Sequence, residues 1–376
     1  MDRITKLLNV DSYPNDPFHA NSMPIYQTAT FELESAEGNG KYDYTRSGNP
    51  TRDAVCLAMA SLENAKHALA FTTGMAAINV LTGLLKAGDH IIAGDDLYGG
   101  TYRLLTKRLN TRGISMTLVD MTNPANVEAA FTASTKMVLI ETPSNPLHKV
   151  ADLATIADIT HRHSAIFAVD NSLMSPWLQR PFDFGADIVM HSATKFISGH
   201  SDVSGGFLLT NDDKLATDLA FIQNAEGCAL APFDSWLILR GMKTIGLRIE
   251  RQIANAEKVA LYLSNHSLVT KVYYAGLTTH PDAALHKTQA SSGGAVISFE
   301  TGNRELSAHI VNNTQLFNIS VSFGSINSSI SLPCNMSHVS ITEPEQKIAP
   351  DLVRISIGIE DASDLIADLD NAFRRF

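Results

Sequence analysis

Seven short apolar runs alternate with helical stretches between residues 68 and 209, and this alternation restricts the possible folds more than any other feature of the sequence. The runs at 68–71, 90–93, 115–119, 137–140, 165–169, 188–190 and 207–209 have the length and character of buried strands. Helical periodicity is expected between them, at 75–85, 101–110, 124–131 and 153–161. Strands separated in this way need right-handed crossovers, so the predicted fold is α/β, with a mostly parallel sheet covered on both faces. Ligands of such sheets bind beyond the carboxyl ends of the strands. The polar residues that follow each apolar run are therefore the ones to weigh for chemistry.

The flanking regions read differently. Residues 1–48 hold Pro14, Pro17 and Pro24 and a Gly/Asn cluster at 38–40, with little periodicity, which predicts an extended arm lying on another surface such as a second subunit. A helix is expected to start just after Pro50. The alternating region, 49–241, makes a large domain, and residues 242–376 make a smaller α/β unit. That unit opens with a long helix at 245–263 and continues with strands at 271–274, 295–299, 319–323 and 353–357 and helices at 304–313 and 362–373.

The formal charge of −10, from 29 basic and 39 acidic side chains, argues against a general nucleic-acid or membrane surface, since phosphate binding needs clustered Lys and Arg. Cys56, Cys228 and Cys334 are odd in number and widely spaced, which fits reduced thiols and neither a disulfide framework nor a structural zinc. No apolar run approaches the ~20 residues that span a bilayer. The first ten residues show no signal-peptide core or transit pattern, so the expected location is the cytoplasm, or an organelle for a processed chain.

Five positions after the strands can carry chemistry. Lys195 follows the run at 188–190 and a polar turn containing Ser192 and Thr194, with Gly199, Gly205 and Gly206 beyond it offering close backbone approach. An amine at the mouth of a sheet can form an imine with an aldehyde; a solvated surface lysine is the plain alternative. Gly74 and Met75, at a strand-to-helix turn, can present backbone N–H groups to a phosphate, or serve only the turn. Asp170 ends an apolar run and needs a partner, either a helix terminus or a buried cation such as a protonated ring nitrogen. Tyr98 beside two glycines can stack on a flat ring or pack its loop, and Asn145, between Pro143 and Pro146, offers an amide donor or a turn. Arg354 interrupts an apolar strand and needs an anion, a ligand carboxylate or an internal carboxylate. Tyr44 and Arg46, at the end of the arm, can reach a phosphate in a neighbouring subunit or form a solvated turn. Together these groups match pyridoxal phosphate acting on an amino acid.

Six segments also carry a resemblance: YDYTRSGNPTR (42–52), DLYGGT (96–101), ETPSNP (141–146), VDNS (169–172), HSATKFISGH (191–200) and LVRISIGIED (352–361). In this order they resemble the Cys/Met-metabolism family of pyridoxal-phosphate enzymes, and the likeness runs over nearly the whole chain. Within that family QNAEG (223–227), LAPFDSW (230–236), VSFGS (321–325) and SLPCNMSH (331–338) are most similar to the plant-type cystathionine β-lyase branch.

The resemblance implies an aspartate-aminotransferase-like, type I fold and a homotetramer of two tight dimers, located in the cytoplasm or, for a processed chain, the plastid stroma. It implies pyridoxal 5'-phosphate as cofactor and β-elimination of L-cystathionine in methionine biosynthesis. By the same resemblance Lys195 holds the cofactor as an imine and moves the proton, Asp170 pairs with the ring nitrogen, Tyr98 stacks on the ring, and Asn145 contacts the phenolic oxygen. Gly74, Met75, Ser192 and Thr194 hold the phosphate, with Tyr44 and Arg46 of a neighbouring subunit, while Arg354 takes the substrate carboxylate with Ser322 beside it. Where γ-acting relatives often carry a glutamate, this chain has Asn327, which weakens a γ-lyase or γ-synthase reading without removing it. An imine aldolase without pyridoxal and a non-catalytic cofactor-binding protein are the remaining alternatives.

Overall fold

The computed structural model of the chain describes residues 3–10, 18–38, 40–336 and 348–376. Seven strands form the larger sheet: β1 (His67–Phe71), β2 (His90–Gly94), β3 (Ser115–Val119), β4 (Thr135–Glu141), β5 (Ile166–Asp170), β6 (Ile188–Ser192) and β7 (Gly206–Thr210). Their order is β1-β7-β6-β5-β4-β2-β3. All neighbours are parallel except β7, which runs antiparallel to β1 and β6.

The strands read as continuous apolar runs because both faces are covered. Ile91, Met137, Leu139, Ala168, Ile188 and Met190 pack on one side with Ile78 and Leu81 of the helix Gly74–Thr82. Their sequence neighbours Ile92, Val138, Ile140, Phe167, Val169 and Val189 pack on the other with Ile156 of the helix Leu153–Arg162. The helix ends obey local rules. Asn49 caps the helix Pro50–Glu63, accepting the Thr51 N–H, and Thr73 caps Gly74–Thr82, accepting the Ala76 N–H at 2.9 Å.

A second sheet comprises β8 (Lys271–Tyr273), β9 (Val296–Glu300), β10 (Asn318–Ile319), β11 (Ser329–Ser331) and β12 (Val353–Ser356), in the order β10-β11-β12-β9-β8. The helix Ile245–Ser264 packs on β8 and β9, and its Ile249, Ala256, Val259, Ala260 and Leu263 belong to the largely shared core that also contains Phe196, Phe207, Ile297 and Phe299.

Several expectations are corrected. The arm includes a helix, Arg3–Leu8, whose Leu7 is buried; the expectations for Pro14 and Pro17, and for Ser337 and His338, fall outside the described residues. The helix expected at 101–110 starts at Gly99 and widens into a π-helical stretch at Leu104–Leu109. The strand expected at 319–323 stops at Ile319, because Ser322 adopts φ 83°, a left-handed conformation incompatible with a ladder. Helices Asp213–Glu226 and Pro232–Met242 have no counterpart in the sequence reading.

Candidate active site

Beyond the carboxyl ends of β2, β4, β5 and β6, and roofed by residues 321–323 and β12 of the smaller sheet, lies a cavity of about 420 Å³. It gathers ten of the twelve residues singled out from the sequence. Gly74, Met75, Ser192 and Thr194 form one end. A Cβ on Gly74 would stand 3.1 Å from Ser192 Oγ and Met190 Cε, so only glycine lets the first turn of its helix come so close to the strand. The first-turn N–H groups of that helix and the two hydroxyls are a donor set suited to a phosphate.

Lys195 projects into the middle of the cavity, where its Nζ donates to Ser322 Oγ and lies 4.7 Å from the centre of the Phe323 ring. Burial pulls its pKa down to about 8, the Arg354 charge acts in the same direction, and Asp170 and Glu141 oppose them. The amine is thus partly neutral near neutral pH, as a nucleophile or base must be. Asp170, at the tip of β5, accepts the Ser172 N–H at 3.0 Å. Burial raises its pKa, and the Ser172 hydrogen bonds counter the rise.

Arg354 is buried on β12 and has no carboxylate partner among the described residues. Its Nη1 donates to Asn145 Oδ1 at 3.0 Å and its Nη2 to the Ser322 carbonyl at 2.9 Å. Burial lowers its pKa to about 10. The left-handed turn at Ser322 therefore gives up strand pairing to aim a carbonyl at Arg354 and a hydroxyl at Lys195. Tyr98 also lines the cavity and is 39% exposed.

Tyr44 and Arg46 do not line this cavity. They stack on each other on the arm, with Arg46 Nε bonded to Asn224 Oδ1 at 3.1 Å. Asn327 is exposed and also lies off the cavity. The glycines after Lys195 play a different part from the one expected. Gly205 and Gly206 pack against Ile238 and the Thr73 backbone, and Gly199 against Arg248, so they serve close protein packing and do not line the cavity.

Two charged cavity residues were missed. Glu141 ends β4 in register with Asp170 and accepts the Tyr98 N–H at 3.3 Å. Burial and the neighbouring Asp170 and Asp96 carboxyls raise its pKa well above the usual range. Its signal was legible, since it ends an apolar run as Asp170 does. Arg103, one turn beyond Tyr98, has no such signal, because an arginine on an exposed helix face is ordinary.

The residues fit pyridoxal phosphate: a glycine cradle with hydroxyls for an anion, a buried carboxylate that needs a cation, and a desolvated amine between them. The comparisons agree. Over residues 4–374 the sequence matches the profile described as Cys/Met metabolism PLP-dependent enzyme. It is 53% identical to the chloroplastic cystathionine beta-lyase of Arabidopsis thaliana across 99% of this chain and 81% of that protein. It is 49% identical to the cystathionine beta-lyase of Neurospora crassa across 95% of this chain and 79% of that one. The crystal structure of cystathionine gamma-lyase from Lactobacillus plantarum, complexed with L-serine, superposes with a TM-score of 0.96 at 41% identity, covering 100% of this chain and 99% of that one. The profile match, the type I fold and a cavity equipped for the cofactor together make this chain a member of the Cys/Met-metabolism family of pyridoxal-phosphate-dependent enzymes.

Proposed function

We propose that the protein is a cystathionine β-lyase, which converts L-cystathionine and water into homocysteine, pyruvate and ammonia as a step of methionine biosynthesis. The observation that carries this reading is the convergence of Lys195, Asp170 and Arg354 on one buried cavity. The relatives that share 53% and 49% of its residues favour β- over γ-chemistry. A second point of support is that the cavity holds two guanidinium groups, Arg354 and Arg103, while L-cystathionine carries two α-carboxylates.

When bound, pyridoxal phosphate supplies an electron sink for the pair released at the substrate Cα. Gly74, Met75, Ser192 and Thr194 would hold its phosphate, Asp170 its ring nitrogen, Asn145 its phenolic oxygen and Lys195 its aldehyde, with the Tyr98 ring against its face. Arg354 receives the substrate α-carboxylate, and Ser322 lies beside it, bonded to Lys195. The Lys195 Nζ, whose pKa is brought down to about 8, takes the proton from Cα. Scission of the Cβ–S bond then releases homocysteine, with Tyr98 serving either as a second acid or base or by stacking alone.

The reading extends to assembly. The arm through residue 48, the domain at 49–241 and the unit at 242–376 build a subunit of a homotetramer, in which the arm of one subunit brings Tyr44 and Arg46 to the phosphate of its neighbour. No helix among the described residues is long and apolar enough to cross a membrane. The cytoplasm is the proposed location, with the plastid stroma as the alternative for a processed chain, in keeping with the chloroplastic relative.

The test is to supply the purified, cofactor-loaded protein with L-cystathionine and identify the keto acid and thiol together. Pyruvate with homocysteine is expected. 2-Oxobutyrate with cysteine would overturn the assignment in favour of γ-elimination.

A further inference from the structure

The helix Ile245–Ser264 carries a row of buried polar residues among its apolar ones. Arg248, Gln252 and Asn255 stand at helical spacing on one face and are 5%, 0% and 0% exposed. Their side chains donate to backbone carbonyls, with one bond besides, from Arg248 Nε to Thr244 Oγ1 at 3.2 Å. Arg248 Nη1 donates to the carbonyl of Phe196 at 2.9 Å, and its Nη2 to Ile197 at 3.3 Å and Gly241 at 2.8 Å. Gln252 Nε2 donates to Ser325 at 2.8 Å and Ile357 at 3.0 Å. Asn255 Nδ2 donates to Gly358 at 3.1 Å and Glu360 at 2.8 Å.

Apart from Gly241, on the helix Pro232–Met242, the carbonyls belong to three segments. Phe196 and Ile197 immediately follow Lys195, Ser325 lies on the turn that displays Ser322, and Ile357 to Glu360 continue the strand of Arg354. Each segment delivers one cavity residue, and each is far from the others in sequence. Backbone bonds join them side by side, from Ile326 N to the Gly199 carbonyl and from Ile359 N to the Ile326 carbonyl, both at 2.9 Å. The row is costly as packing material. Gln252 Oε1 and Asn255 Oδ1 are buried without partners, and Arg248 has no carboxylate among the described residues. A Cβ at Gly199 would fall within the Arg248 guanidinium, so the loop is shaped around that side chain.

We propose that Arg248, Gln252 and Asn255 are positioning residues, a ruler on one helix that sets the separation between the Lys195 amine and the Arg354 guanidinium. Arg248 fixes the lysine side of that separation, and Gln252 and Asn255 fix the substrate-carboxylate side. The inference rests on the roles proposed above for Lys195 and Arg354.

The test compares holoenzyme variants whose folding is checked by circular dichroism and thermal unfolding. Gln252→Met and Asn255→Leu are expected to raise KM for L-cystathionine about tenfold with a smaller change in kcat, leaving the pH titration of the cofactor's visible absorbance in place. Arg248→Lys is expected to weaken pyridoxal phosphate affinity of the apoprotein and to shift that titration, with kcat falling about tenfold or more, because a small misplacement of the base is costly. Folded variants that lose only melting temperature, with wild-type KM, cofactor affinity and absorbance titration, would overturn the proposal. If the wild-type protein leaves L-cystathionine intact, the assigned reaction fails, while cofactor affinity and the titration still decide the role of Arg248.

Discussion

Burying the Lys195 amine links chemistry to stability. Its folded pKa, about 8, lies below the ordinary lysine value of 10.5, so between these two pH values the unfolded chain binds more protons than the folded one. Stability of the cofactor-free protein should therefore gain a contribution as pH rises through that window. Lys195→Met should lack it, as measured by the difference in denaturant midpoint between the two proteins across pH. Glu141 and Asp170 make a second pair of opposed expectations. Glu141 is held towards its neutral form by burial and two carboxyl neighbours, so Glu141→Gln should leave cofactor affinity nearly unchanged. Asp170→Asn removes the counter-charge proposed for the ring nitrogen and should weaken binding by about 3 kcal/mol, the cost of breaking a buried ion pair, read by titration with pyridoxal phosphate. Much of this was legible in the sequence, because charged groups at the ends of apolar runs must find partners there. What was not legible is which partners: Arg354 meets Asn145 and Ser322 only because two sheets close over the cavity.

Among the elements, the seven strands of the large sheet were foreseen because burial on both faces leaves an uninterrupted apolar signature. The helices Asp213–Glu226 and Pro232–Met242 were not, and their exposed Phe221 and Phe233 show why. Large apolar residues on the outer face erase the stripe that distinguishes a surface helix. β10 was overdrawn for the opposite reason, since Val321 and Phe323 are apolar but line the cavity from an irregular segment. Gly206, the first residue of β7, offers a test of close packing. A Cβ on Gly206 would lie 2.5 Å from the Thr73 carbonyl oxygen, which belongs to backbone and cannot swing aside. Gly206→Ala is accordingly expected to cost about 1–3 kcal/mol, visible in thermal unfolding, with β7 and the capped helix forced apart.

For the whole molecule, the arm is the part least explained by a single chain. Tyr44 is exposed, Arg46 stacks on Tyr44 and bonds Asn224 away from the cavity, and Phe18, Phe221, Phe233 and Leu247 present apolar surface outward. In the proposed tetramer these surfaces meet neighbours. Arg46→Ala should then lower cofactor affinity about tenfold, the loss of one charge-assisted hydrogen bond, while sedimentation still reports the same assembly. Dilution to monomers should reduce wild-type affinity to a similar degree.

Chain order adds a consequence of its own. The contacts proposed for the cofactor within one chain all lie between Gly74 and Lys195, whereas Arg354 follows the Asn145 to which it bonds by 209 residues. Domains fold as units, amino-terminal first, while the rest of the chain is still being made. The residues proposed to hold the cofactor are thus all synthesised well before the arginine proposed to take the substrate carboxylate. Completion of the site still waits on that late strand, because Val353 and Ile355 of β12 belong to the same core as Phe196 and Ile197 beside Lys195.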